Sequence, residues 1–137
     1  MITAMQDNLN LYEYAVIRYV PDVEREEFVN VGLIMMSKRH RWIRVVIKVD
    51  EDRVRALFKD ADLDLLNHQL RAFEVIASGK RPQDSTVPAV WLVDLPVEER
   101  FRWLTAVRSA CIQSSRPHAG KSPDLDATLQ TLSAKYL

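Results

Sequence analysis

The residue types that do chemistry are present in this 137-residue chain, but they are spread thinly along it. Three histidines, His40, His68 and His118, fall in a turn, a helix and a loop of the sequence pattern, and no two stand at ligand spacing. A catalytic or structural metal needs three or four convergent His, Cys or carboxylate groups, so no metal site is expected. Cys111 is the single cysteine, which excludes an intramolecular disulfide and fits a reducing compartment. Gly32, Gly79 and Gly120 are isolated from one another. Neither a phosphate-cradling loop nor a dinucleotide fingerprint exists, and no cofactor is expected. Cys111, or Ser114 and Ser115 beside His118, is the only local material for nucleophilic catalysis. Because a nucleophile and its base usually come from different segments, no catalytic residue is assigned. The carboxylates of "EREE" (Glu24 to Glu27) belong to an acidic turn, a setting that is normally solvated.

A different constellation lies in "REEFVNVGLIMM" (Arg25 to Met36), an apolar run interrupted by Asn30 and Gly32. Period-two reading puts Asn30 and Gly32 on one side, with Val29, Val31, Leu33 and Met35 as a core face. Gly32 then marks a bulge or the close approach of a neighbour, and Asn30 can bridge backbone groups of adjoining segments. In "WIRVVIKV" (Trp42 to Val49) the alternation is clean: Ile43, Val45, Ile47 and Val49 face the core, and Trp42, Arg44, Val46 and Lys48 face away. Arg18 joins that second face if Tyr12, Tyr14 and Val16 share its side. Cations interleaved with aromatics on an uncovered sheet can stack and neutralise single-stranded nucleic acid, or anchor a protein interface. They can also simply solvate the outer face of an antiparallel sheet.

The elements that must position these residues follow from the pattern. Leu11 to Val20 reads as a strand ending at Pro21, Phe28 to Met36 as a second and Trp42 to Val49 as a third, together an antiparallel meander. Asp50 caps a short helix carrying Val54, Leu57 and Phe58. From Asp62 to Ser78 the residues Leu63, Leu66, Leu70, Phe73 and Ala77 form the stripe of a longer helix stopped at Gly79. Residues 79–90 are a loop, and "WLVDLP" is a candidate short strand. Asp94 with Pro96 opens a helix bearing Val97, Phe101, Leu104 and Val107. "CIQSSR" (Cys111 to Arg116) is a candidate fourth strand. Ser122 and Pro123 open a last helix with Leu125, Leu129 and Leu132 inward. The expected class is α+β, a small antiparallel sheet of three or four strands covered by helices on one face, in one domain over 1–137 with residues 1–10 disordered or loosely attached.

Composition narrows function. Apolar residues make up 47% and charged residues 28%, ordinary values for a folded domain. The 19 basic and 19 acidic residues cancel, so the global basic excess typical of nucleic-acid binders is missing. No run of about 18 apolar residues spans a membrane, and the N-terminus lacks the basic-then-apolar order of a signal peptide, so the expectation is a cytoplasmic protein.

The stretches "YEYAVIRYVPDVEREEFVNVGLIM" (Tyr12 to Met35) and "IQSSRPHAG" (Ile112 to Gly120) resemble the bacterial family termed domain of unknown function 3037, with Arg18, Glu27, Phe28, Asn30 and Gly32 matching its pattern. The resemblance implies no reaction; it implies association with HipA-like kinases, as a partner or regulator in a toxin-antitoxin-like unit. Three readings result. The first is a non-enzymatic binding module using Arg18, Glu27, Asn30, Gly32, Arg44, Arg116 and His118. The second is a nucleic-acid binder or metal-independent nuclease resting on Arg18, Arg44, Lys48, Arg116 and His118. The third is a homodimer joined through Trp42, Met35 and Met36.

Overall fold

A computed structural model of the chain describes residues 9–83, 86–106 and 110–137. Val107, expected on a helix, and residues 1–8 of the expected loose N-terminus lie outside them. The described residues form five strands and four helices, an α+β fold: β1 (Asn10–Tyr19), β2 (Val29–Ser37), β3 (Trp42–Ile47), α1 (Glu51–Leu57), α2 (Leu63–Ser78), α3 (Val97–Leu104), β4 (Ile112–Ser114), β5 (His118–Ser122) and α4 (Leu125–Tyr136). The sheet is antiparallel and open, in the order β3-β2-β1-β4, with β5 also paired to β1. The meander is as the sequence predicts, and Asn10 is already held in it, opposite Ser122.

One face of the sheet carries Ala15, Ile17, Tyr19, Val29, Val31, Ile34, Met36 and Ile43 against Val54, Leu66, Leu70, Phe73 and Phe101 of the helices. Helix α2 is placed by its own ends: the Asp62 carboxylate accepts from Leu65 N–H at 3.0 Å, and Gly79 takes φ +69° at the stop. Arg100 adds a C-terminal clamp that the sequence pattern does not reveal. Its Nη1 donates to the carbonyls of Ile76 and Ala77, both at 3.0 Å, and its Nε to that of Leu95 at 2.9 Å. A cation at a helix C-terminus satisfies orphan carbonyls and opposes the dipole.

The second face departs from expectation at one residue. Ile17 pairs with Gly32 but Arg18 pairs with Asn30, so Val31 is the extra residue of a β-bulge. Val31 and Gly32 both look toward the core, and the parity of β2 changes there: Val29 and Val31 precede the bulge inward, Ile34 and Met36 follow it inward. Asn30 and Gly32 therefore lie on opposite faces, not one. Leu33 and Met35, expected in the core, turn to the second face, where α4 lies over β1 and β2 and leaves both fully buried. This explains the unbroken apolar text of β2, since a strand buried on both sides does not alternate.

Three smaller corrections have local causes. "WLVDLP" is a 3-10 turn (Val90–Asp94) entered through Ala89 at φ +54°; adjacent Leu92 and Val93 are both buried, which a strand exposed on one face would not allow. Asp94 pairs with Arg81 at 2.5 Å, and α3 starts from Pro96 without a side-chain cap. Ser122 is the last residue of β5, and the α4 cap is Asp124, which accepts from Ala127 N–H at 3.1 Å while its own N–H donates to Ser122 Oγ at 3.0 Å.

Candidate functional site

The even-numbered side chains of β1 face away from the main core, which sets Arg18 beside Asn30 of β2 and Gln113 of β4. Phe28, just ahead of β2 and 44% exposed, lays its ring 4.2 Å from the Arg18 guanidinium carbon. Such stacking holds a guanidinium flat while leaving its edge to donate. Asn30 Nδ2 donates to the Tyr136 carbonyl at 3.3 Å, tying the corner to the end of α4, and Ser133 lies one turn earlier on that helix. Three buried polar atoms here lack a partner in the described chain: Arg18 Nε, Asn30 Oδ1 and Ser133 Oγ. Each unmet buried group costs about 1–3 kcal/mol, and folded proteins hold few of them. Beside them opens a groove of about 470 Å³ lined by Phe28, Asn30, Arg53, Ala56 and Leu57. Among the described residues neither the Arg18 nor the Arg53 guanidinium is paired with a carboxylate.

Glu27 pairs with Arg25 at 2.6 Å and not with Arg18. Gly32 is structural: a Cβ there would come within 2.9 Å of Ile47 Cδ1 and of the Val46 carbonyl, and 3.1 Å of Ile17 Cδ1. Arg44 folds back, its Nη1 donating to its own strand's Ile43 carbonyl at 2.8 Å and its guanidinium 5.2 Å from the Trp42 ring. Arg116 is exposed in the connection between β4 and β5. Of the seven sequence-derived candidates, then, Arg18 and Asn30 are brought together. The sequence reading missed Arg53, Ser133 and Tyr136; the spacing of Ser133 and Tyr136, three apart on one helix face, was the signal available.

His118 belongs to a second polar cluster. It lies on β5, not in a loop; "HAGKS" carries no strand pattern of its own, and pairing with the β1 edge imposes one. Its ring is 5.2 Å from Tyr14, whose hydroxyl meets that of Tyr136 at 3.0 Å. That hydrogen bond, reinforced by burial and by the neighbouring phenols, pushes the Tyr14 pKa up to about 12. Ser115 closes the break between β4 and β5: its N–H donates to Val16 O at 2.8 Å and its Oγ accepts from Val16 N–H at 2.9 Å, in place of a backbone carbonyl. A side chain at Gly120 would strike the Tyr12 ring. Ser115, His118 and Gly120 of "IQSSRPHAG" thus have packing roles, whereas Arg116 is exposed.

Two expected surfaces change. The basic sheet face is not a bare platform, because α4 crosses β1 and β2, Phe28 covers Arg18, and Arg44 rests on Trp42. Met35 and Met36 are 0% and 4% exposed, so they form no dimer interface. A separate apolar cleft of about 420 Å³ lies between α2 and α3, lined by Phe73, Ile76, Leu92, Trp103 and Cys111 among others, with Trp91 edge-on to Trp103 at 5.5 Å. Among its described lining residues the Cys111 thiol is the one ionisable group. Among the described residues no three His, Cys, Asp or Glu side chains are grouped to hold a metal ion, and no helix is long and apolar enough to cross a membrane.

A sheet-and-helix domain whose one polar corner keeps unspent hydrogen-bonding groups is the class that fold and site define. Residues 14–137, nearly the whole chain, match the family described as Protein of unknown function (DUF3037), and the chain belongs to that family. No curated protein and no solved structure matches it.

Proposed function

We propose that the protein is a non-enzymatic binding and interaction module of the cytoplasm, engaging a protein partner at the Phe28, Arg18 and Asn30 corner. A HipA-like kinase, the association implied by the family resemblance, is the partner to test first. One observation carries the reading: the corner combines an exposed aromatic, a stacked guanidinium and buried polar atoms that nothing in the described chain satisfies. Aromatic and arginine anchors concentrate binding energy at interfaces, and unmet polar groups are satisfied when a partner arrives.

Co-expression with the HipA-like kinase of the same host tests the proposal. A complex that co-elutes, and that Phe28→Ala together with Arg18→Gln dissolves, is the expected outcome. No protein partner from host or kinase, together with salt-sensitive binding of single- or double-stranded nucleic acid, would transfer the site to the nucleic-acid reading. Light scattering on the pure protein separates self-association from either.

A further inference from the structure

We infer that the corner recognises a carboxylate set beside an apolar side chain, presented by an acidic-hydrophobic segment of a protein partner. The inference rests on the binding-module reading and names what that module reads. The groove carries the Arg53 guanidinium, and the Arg18 guanidinium stacks on the Phe28 ring that lines it; among the described residues no carboxylate pairs with either. Three neighbouring carboxylates are already engaged. Glu27 is held by Arg25 at 2.6 Å, Asp50 accepts from Arg53 N–H at 3.1 Å, and Glu51 faces Arg55 at 3.5 Å. A planar guanidinium fixed by a ring matches a carboxylate in bidentate geometry.

The rest of the groove sets what must flank that charge. Phe28 and Leu57, 44% and 38% exposed, with Ala56 between the charged positions, offer an apolar floor rather than a basic track. Two cations about one aromatic suit a single oxyanion with a greasy neighbour; a phosphodiester backbone needs a run of basic contacts, and the chain has no net charge to supply one.

The test uses the full chain and three probes followed by NMR shifts of the Arg18, Asn30 and Arg53 side chains: a doubly blocked Leu-Glu-Leu peptide, its Leu-Gln-Leu counterpart, and inorganic phosphate. The Glu peptide is expected to saturate those shifts with a Kd below about 10 mM, and the Gln peptide to bind at least about tenfold more weakly. Arg18→Gln should cost about tenfold and Arg53→Gln about threefold, by loss of charge-assisted hydrogen bonds. Should Arg18→Gln fail to fold, the exposed Arg53→Gln and Phe28→Ala carry the same comparison. Equal binding of the two peptides, shifts confined to other residues, or no shifts at all would overturn the inference. Phosphate binding as tight as the Glu peptide would overturn it in favour of a phosphoryl ligand. If the host partner binds the parent protein and is lost from Phe28→Ala together with Arg18→Gln, while the Glu peptide fails to bind the parent, the module reading survives and this inference alone fails.

Discussion

The two polar regions on the second face of the sheet, Arg18 with Asn30 at one end of β1 and Ser115 with His118 and Gly120 along its outer edge, are built from similar residues and end in opposite states. Along the edge no buried polar side-chain atom of the described residues lacks a partner. Ser115 bonds Val16 twice, Tyr14 bonds Tyr136, His118 stacks on Tyr14, and Gly120 makes room for Tyr12. At the corner three buried polar atoms are left over. Satisfied polar groups hold a fold together, whereas unsatisfied ones cost it stability and point to something outside the fold. The two family stretches therefore divide by role: "IQSSRPHAG" is architecture, and "EFVNVG" is architecture at Gly32 and recognition at Phe28 and Asn30.

That division is open to breakage by substitution. The largest effect is expected at Gly32→Val, where a branched side chain meets the Val46 carbonyl and two isoleucine methyls at the bulge, and chemical denaturation should show a loss of about 3 kcal/mol. Ser115→Ala strips the buried Val16 N–H of its acceptor and should cost about 1–2 kcal/mol while leaving partner binding unchanged. A smaller effect follows at Gly120→Ala, under about 1 kcal/mol, because the obstacle is the movable end of the Tyr12 side chain rather than backbone.

The edge cluster also makes a pH prediction. The Tyr14 pKa rises from its model-compound value of 10.0 to about 12 in the fold, so the folded state keeps that proton after the unfolded chain has lost it. Its contribution to stability is complete below pH 10.0 and is lost as pH climbs toward about 12. Phenolate absorbance should show Tyr14 titrating late, alongside Tyr19, which burial also pushes up, and Tyr136→Phe should bring Tyr14 back toward the ordinary value.

Much of this architecture was legible because local chemistry and tertiary structure agree. Clean alternation from Ile43 to Val49, the Asp50 cap, the leucine stripe of α2 and its stop at Gly79 each predict their element directly. What escaped was non-local. The bulge at Val31 reverses which side Leu33 and Met35 occupy, and only pairing with Arg18 and Ile17 reveals it. The strand at His118 exists because β1 has a free edge, not because its residues favour extension. At the site, Arg18, Phe28 and Asn30 were visible as polar and aromatic interruptions of strands. Arg53, Ser133 and Tyr136 were not, since only the folding of α1 and α4 against the Val29–Asn30 end of β2 carries them there.

The measurement that bears most directly on the division is the urea-denaturation free energy of the doubly apolar variant Arg18→Met with Asn30→Leu. If the corner is retained for recognition, removing its buried unmet groups offsets the lost Phe28 stacking and the Asn30 to Tyr136 hydrogen bond, and stability should stay within about 0.5 kcal/mol of the parent or rise. A loss of about 2 kcal/mol or more would show these residues to be structural supports like Ser115, and would contradict the account.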